Sequence, residues 1–301
     1  MCMSNLPDID SLRCFVAAAE RQHFRLAARA VGLSPAAFSD RIRRLEESLS
    51  ASLFERTTRS VSVTAAGERL LPEARRTLEA AQACRESVAD LSRPTRYTLM
   101  IGTRFELGLS WLIPALDHLQ ALQPERSLNM TFSQSFDLMR RLRGGEIDAF
   151  VSSIRLTGRG LDYAVLHDEK YVFVGAPELL ADAPLHAAAD AARHTLVDVD
   201  ASLPLFRYLL DGLGEVDEWP FENTEMMGTI AAIRARVISA RGVAVLPAYF
   251  VQPDLDAGRL VQIRPDIQIP QDVFRLIWST SNAKVSRLRL LAEELRNIPL
   301  Q

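Results

Sequence analysis

Cysteine is nearly absent from this chain. Three occur in 301 residues, Cys2, Cys14 and Cys84, all in the first third. Their spacing fits no metal knuckle, and so few thiols build no disulfide framework. The last two thirds hold none, which excludes thiol-based peroxide sensing there. Lysine is scarcer still, with only Lys170 and Lys284. Five histidines, His23, His118, His167, His186 and His194, fall at no metal-ligand spacing and are expected at the surface or as caps. No apolar run reaches the ~18 residues that cross a bilayer. The opening Met1-Cys2-Met3-Ser4-Asn5 has neither the basic stretch nor the apolar core of an export signal. A cytoplasmic protein with no membrane partner is expected. Glycine-rich phosphate loops, His-Glu-x-x-His and Gly-x-Ser-x-Gly are all missing. Hence no cofactor is implied, and an enzyme is not expected.

What is present is globular. Apolar residues make up 48% and charged residues 24%, enough to build real cores. The length suggests roughly two domains. Net charge is −3 and does not advertise nucleic-acid binding. Its distribution says more: residues 1–92 carry 13 Arg against 12 Asp and Glu, a net +1, which leaves −4 for the remainder.

Three sections emerge. Residues 1–63 read as short helices ending in a small hairpin. Residues 64–92 read as one long helix, stopped at Ser92-Arg93-Pro94-Thr95 because proline cannot continue it. From 97 to 301, strands alternate with helices, the pattern of an α/β sheet.

In the first section Leu12, Phe15, Val16 and Ala19 recur at helical spacing. A second helix spans about 25–31, with Gly32 suited to its C′ position. The third opens on Ser34 as N-cap and Pro35 at its first position. Phe38, Ile42, Leu45 and Leu49 turn one face of it inward. The opposite face carries Ala36, Asp40 and Arg43, flanked by Ala37, Ser39 and Arg44. Small residues near the N-terminus and arginines beyond suit a major groove. A solvated charged face is the plainer alternative. Residues 53–64 then read as a two-stranded wing, with Arg56 at its edge and Thr58 and Arg59 at its tip as phosphate or minor-groove donors.

These residues carry a resemblance. Phe24-Arg25-Leu26-Ala27-Ala28-Arg29-Ala30-Val31-Gly32-Leu33-Ser34, then Ile42-Arg43-Arg44-Leu45-Glu46, Leu53-Phe54-Glu55-Arg56 and Val63-Thr64-Ala65-Ala66-Gly67 resemble the N-terminal domain of LysR-type transcriptional regulators. The resemblance implies a winged helix-turn-helix that binds interrupted palindromes in double-stranded DNA. It also implies a homodimer, usually paired into a homotetramer, that responds to a small co-inducer. Three departures stand out: Ser50 replaces the usual glycine after the third helix, Pro35-Ala36 replaces the usual Gln-Pro, and Asp40 occupies an often basic or polar position. Asp40 could accept from a cytosine amino group, or pair with Arg44 one turn on.

The long helix offers Ala74, Ala81 and Val88 every seven residues, with Leu71 and Leu78 alongside. That reads as a short coiled-coil seam for a second copy. Packing on its own domain is the alternative.

In the third section ligands are expected beyond the carboxyl ends of strands. Three such ends carry polar groups: Thr103, Arg104 and Phe105; Ser133, Gln134 and Ser135; and the loop reaching Ser202. Arg104 would clamp an anionic effector, although each hydroxyl could instead cap the helix that follows. Gly102, Trp111–Leu116, Gly145-Glu146-Ile147-Asp148 and Gly242–Pro247 resemble the co-inducer domain of the same family. This implies two periplasmic-binding-protein-like α/β lobes, 97–170 with 270–301 and 171–269, and a cleft between them. The competing reading is a solute-binding or enzymatic α/β protein whose helical N-terminus only oligomerises. Steep loss of DNA affinity with salt separates the two.

Overall fold

A computed structural model describes residues 6–56, 61–87, 96–154, 160–214 and 218–300. Helix α1 (Ile9–Arg21) starts on Asp8, whose carboxylate accepts from the Ser11 amide at 2.9 Å. Helix α2 (Phe24–Ala30) follows, and Gly32 takes the left-handed φ of +73° beyond it. Helix α3 (Pro35–Leu49) begins on Ser34, whose Oγ accepts from the Ala37 amide at 3.2 Å. Leu12, Phe15, Ala27, Phe38, Ile42 and Leu45 bury together as its inner faces. Strands β1 (Phe54–Arg56) and β2 (Val61–Val63) pair antiparallel, Phe54 opposite Val63. The expected tip residues Thr58 and Arg59 lie outside the described residues.

Helix α4 (Ala65–Ser87) is capped by Thr64, whose Oγ1 accepts from the Gly67 amide and donates to the Ser52 carbonyl. Part of the seam expected to face a second copy is covered by the chain itself. Ala74 is buried, and Leu70, Leu71 and Leu78 pack against the core of α1–α3. The helix therefore does find its own domain to lie on, over its first half. Val88 and the stop at 92–95 lie outside the described residues.

The remainder forms two five-stranded sheets. The first contains β3 (Tyr97–Thr103), β4 (Arg126–Phe132), β5 (Ala149–Ser152), β6 (Leu161–Glu169) and β12 (Asp272–Ser279), in the order β4-β3-β5-β12-β6. Strands β3, β4 and β5 run parallel, while β12 is antiparallel to β5 and β6. The second contains β7 (Tyr171–Gly175), β8 (Thr195–Asp198), β9 (Asn223–Met226), β10 (Val243–Pro247) and β11 (Val261–Gln262), in the order β11-β7-β10-β8-β9. The chain passes from one sheet to the other at Lys170, between β6 and β7, and returns into β12.

Helices clothe both sheets. A short α5 (Phe105–Leu107) runs through a π-helical turn (Gly108–Leu112) into α6 (Ile113–Leu122); α7 (Ser135–Arg143) and α12 (Val285–Arg296) complete the first lobe. The second carries α8 (Pro177–Asp182), α9 (Phe206–Leu213), α10 (Ile230–Ile238) and α11 (Ala248–Asp256). Apolar runs in the inner strands, such as Val243–Leu246, are buried on both faces. Among the described residues no helix is long and apolar enough to cross a membrane. Cys14 is buried and Cys84 exposed, neither in a disulfide. His23 caps α2, but His194 is buried, against the expectation of a surface or capping role.

Candidate functional site

The outward face of α3 is polar and open. Ser34, Pro35, Ala36 and Ala37 are exposed around its start, and Arg43 and Arg44 are exposed two turns on. Ser39 and Asp40 are half-buried. Asp40 accepts from Arg43 at 2.5 Å and from Arg44 at 2.8 Å, and Arg43 also reaches Glu47. The hydrogen bond from Arg43 leads the causes that hold the Asp40 carboxyl below its ordinary range. The wing is fastened to α3 by Glu46, whose carboxylate accepts from the amides of Leu53 and Phe54 at 2.7 and 3.2 Å. Arg56 is the last residue of β1. Helix α3 ends without glycine: Ser50 itself adopts the left-handed conformation at φ 50° and returns its amide to Glu46 and Glu47.

A cleft of about 470 Å³ opens between the two lobes. Its walls are Ser135, Ser152, Ser153 and Ile154 from the first lobe and Ser202, Pro204, Arg207, Tyr208 and Asp211 from the second, with Asp272 at the crossing. Ser135 opens α7 and its hydroxyl lies 3.0 Å from that of Ser152. Ser202 is held by Asp200 through both its amide and its hydroxyl. Asp198 organises that side from beneath. Its buried carboxylate accepts from the amides of Val199, Leu205 and Phe206, which fixes the loop and the start of α9. Burial pushes its pKa up, and those amide bonds pull the other way.

Of the residues anticipated from strand ends, Ser135 and Ser202 meet in this cleft. The others do not line it. Thr103 is fully buried. Arg104 turns to the fully buried Glu169 at the end of β6, 2.8 Å away. Burial opposes the Arg104 charge, but the Glu169 carboxylate outweighs it and raises its pKa. Its charge is thus neutralised within the fold rather than offered to a ligand. Phe105 is exposed and stacks on Phe132, with ring centroids 5.3 Å apart. Ser133 donates to Asp137, which with Arg140 and Arg141 draws that carboxyl down to about 2. Gln134 precedes α7 without a side-chain cap bond.

Sequence reasoning missed Ser152, Ser153, Tyr208 and Asp272. Ser152 and Ser153 close a strand and were within reach of the strand-end rule. Tyr208 and Asp272 gave no local signal. They join across the lobes, the tyrosine hydroxyl donating to Asp272 at 2.8 Å while its ring stacks on Tyr171 at 4.1 Å.

Comparison with known proteins matches this geometry to a family. Residues 9–68 match the model of the bacterial regulatory helix-turn-helix protein, lysR family, and residues 92–298 that of the LysR substrate binding domain. A probable hydrogen peroxide-inducible genes activator of Streptomyces viridosporus is 30% identical over 98% of this chain and 96% of its own. The transcriptional regulator DmlR of Escherichia coli is 27% identical over 98% and 95%. Among solved structures, a full-length OxyR variant from Pseudomonas aeruginosa superposes with a TM-score of 0.75 at 23% identity, covering 97% of this chain and 96% of that one. ArgP from Mycobacterium tuberculosis gives 0.73 at 21%, covering 95% and 96%. The chain therefore belongs to the LysR family of transcriptional regulators, with a helix-turn-helix domain that binds DNA and a substrate-binding domain for a small effector.

Proposed function

We propose that α3 faces the major groove with Ser34, Pro35, Ala36, Ser39, Asp40, Arg43 and Arg44, Asp40 holding its two arginines rather than reading a base, while Arg56, Thr58 and Arg59 of the wing hold the flanking backbone. The inter-lobe cleft takes the effector. The observation that carries the cleft assignment is its construction: hydroxyls of Ser135 and Ser202 come from different lobes and line one space. A ligand bridging them biases how the lobes sit, which is what a regulator must sense.

The effector we favour is a small polar molecule bearing a carboxylate. Arg104 is committed to Glu169, so the countercharge falls to Arg207 and to the first turn of α7, which no side chain caps. Helix N-termini favour carboxylates. Several relatives are named as probable peroxide-inducible activators, but residues 97–301 contain no cysteine. A thiol of the effector domain cannot be the sensor here.

On this reading residues 1–63 bind DNA, 64–92 link and dimerise, and 97–301 sense. Members of the family oligomerise; we assign this chain a homodimer joined along α4, paired into a homotetramer on a two-fold-symmetric operator in the cytoplasm. Dimer symmetry sets two α3 helices on successive major grooves. The test is selection of duplexes from a random pool by the full-length protein at two salt concentrations. An enriched two-fold-symmetric site, weakened at the higher salt, supports the reading. A thermal-shift screen of carboxylic acids then follows, with Ser135→Leu as the variant expected to lose the response.

A further inference from the structure

Arg75 of α4 touches two domains at once. Its Nη1 donates to the Gly144 carbonyl just past α7, at 2.9 Å, and its Nη2 donates to Glu20 Oε1 on α1, at 3.2 Å. The side chain is only 14% exposed, against 52% for Glu20. The corner it grips is tight. Gly145 takes a φ of +64°, and a Cβ there would lie 3.5 Å from both Cβ and Cδ of Arg75. Arg76 reaches the Arg143 carbonyl beside it at 3.5 Å. Last-turn carbonyls have no partner within their helix and carry its negative end. Two arginines answering them make a directed joint rather than an incidental contact.

The other end of α7 is in the cleft. Ser135 opens the helix there, against Ser152. Between the ends, Leu138 and Leu142 lock α7 onto Ile147, Phe150 and Ile277. Nine residues of helix span about 13 Å. A helix packed in this way shifts as a body, because close-packed interiors do not absorb displacement continuously.

We propose that Arg75 is the positioning residue that couples the cleft to the DNA-binding domain. A displacement of the cleft wall at Ser135 moves the Gly144 carbonyl at the far end of α7. Arg75 must then choose between that carbonyl and Glu20, which alters the seat of α1 against the linker. Arg75 lies on α4, away from the outward face of α3 and outside the lining of the cleft. The ligand end of this route rests on the cleft reading above, whereas the joint itself does not. Linkage is reciprocal, so DNA bound at α3 must be felt in α7 without any ligand present.

That reciprocity supplies the test. The full-length protein is saturated with a duplex recovered from the random pool, saturation being checked by mobility shift. Amide hydrogen exchange is then followed across residues 135–143. The wild type is expected to change its exchange rate there on the order of fivefold or more. In Arg75→Ala and in Glu20→Ala the change disappears while the duplex still binds. Glu20→Ala removes the acceptor for Arg75 but leaves the Gly144 contact in place, and so decides the matter if Arg75→Ala folds poorly. An undiminished change in Glu20→Ala, or no change in the DNA-saturated wild type, overturns the proposal. Because no ligand enters the experiment, failure of the cleft assignment leaves its outcome intact.

Discussion

Asp40 stands between two arginines on the open face of α3, bonded to Arg43 at 2.5 Å and to Arg44 at 2.8 Å. The pairs are exposed, so DNA can compete for either guanidinium with little loss. The carboxylate therefore holds back positive charge in the free protein. Asp40→Asn is expected to tighten binding to every duplex, whatever its sequence. The plot of log affinity against log salt should steepen by about one unit if one more phosphate is engaged. A tighter site confined to one sequence, with an unchanged slope, would show Asp40 reading a base instead.

The left-handed Ser50 makes a second prediction. A side chain in that conformation costs about 1 kcal/mol relative to glycine. Ser50 is exposed and its amide bonds are backbone-mediated, so a glycine there loses no contact. Ser50→Gly should raise stability by about 1 kcal/mol, offset in part by the freer unfolded chain. Urea denaturation of the two proteins, compared at equal m-value, measures it.

Arg126 and Glu294 form a buried pair in the first lobe, the arginine fully enclosed. The guanidinium also donates to the Leu119 carbonyl. Removing one partner strands a charge. Glu294→Ala is expected to cost about 3–5 kcal/mol. Glu294→Leu combined with Arg126→Met should recover most of that loss, since an apolar pair of similar size needs no solvation. A double variant no better than the single one would place the cost in packing instead.

His194 sets an acid limit. It is 1% exposed, and burial lowers its pKa below the ordinary 6.5. Above that value the ring is neutral in both folded and unfolded chains, and stability is unaffected. Below it the unfolded chain takes up a proton that the folded chain refuses, so stability falls as pH drops, by at most about 1.4 kcal/mol per pH unit. His194→Phe should flatten the decline in melting temperature between pH 6.5 and 5.

Much of this fold could be read from the chain. The three N-terminal helices follow apolar stripes at helical spacing, and Ser34-Pro35 marks the start of α3. Strands β3, β5 and β10 are short apolar runs bounded by turns. Strand β6 was not legible. Leu161–Glu169 mixes carboxylates with apolar residues because it lies at a sheet edge, half-exposed. Strand β9 escaped for the same reason. In the cleft, Ser135 and Ser202 were legible because polar groups after a strand stand out. The ion pair of Arg104 was not legible because its partner, Glu169, is 65 residues away. The α4 stripe told that Leu71 and Ala74 are covered but not by what, since an apolar face carries no record of its neighbour.

The position of β12 bears on how the protein is made. It lies between β5 and β6, yet every strand of the second lobe is synthesised before it. At ribosomal rates the first sheet waits roughly 6–24 s between the release of Ser152 and that of Asp272. Nascent β5 and β6 spend that interval with open edges. The second lobe, whose strands arrive consecutively, is free to form meanwhile. The order of the strands thus gives the second lobe all of its own sequence before the first sheet has the strand that closes it.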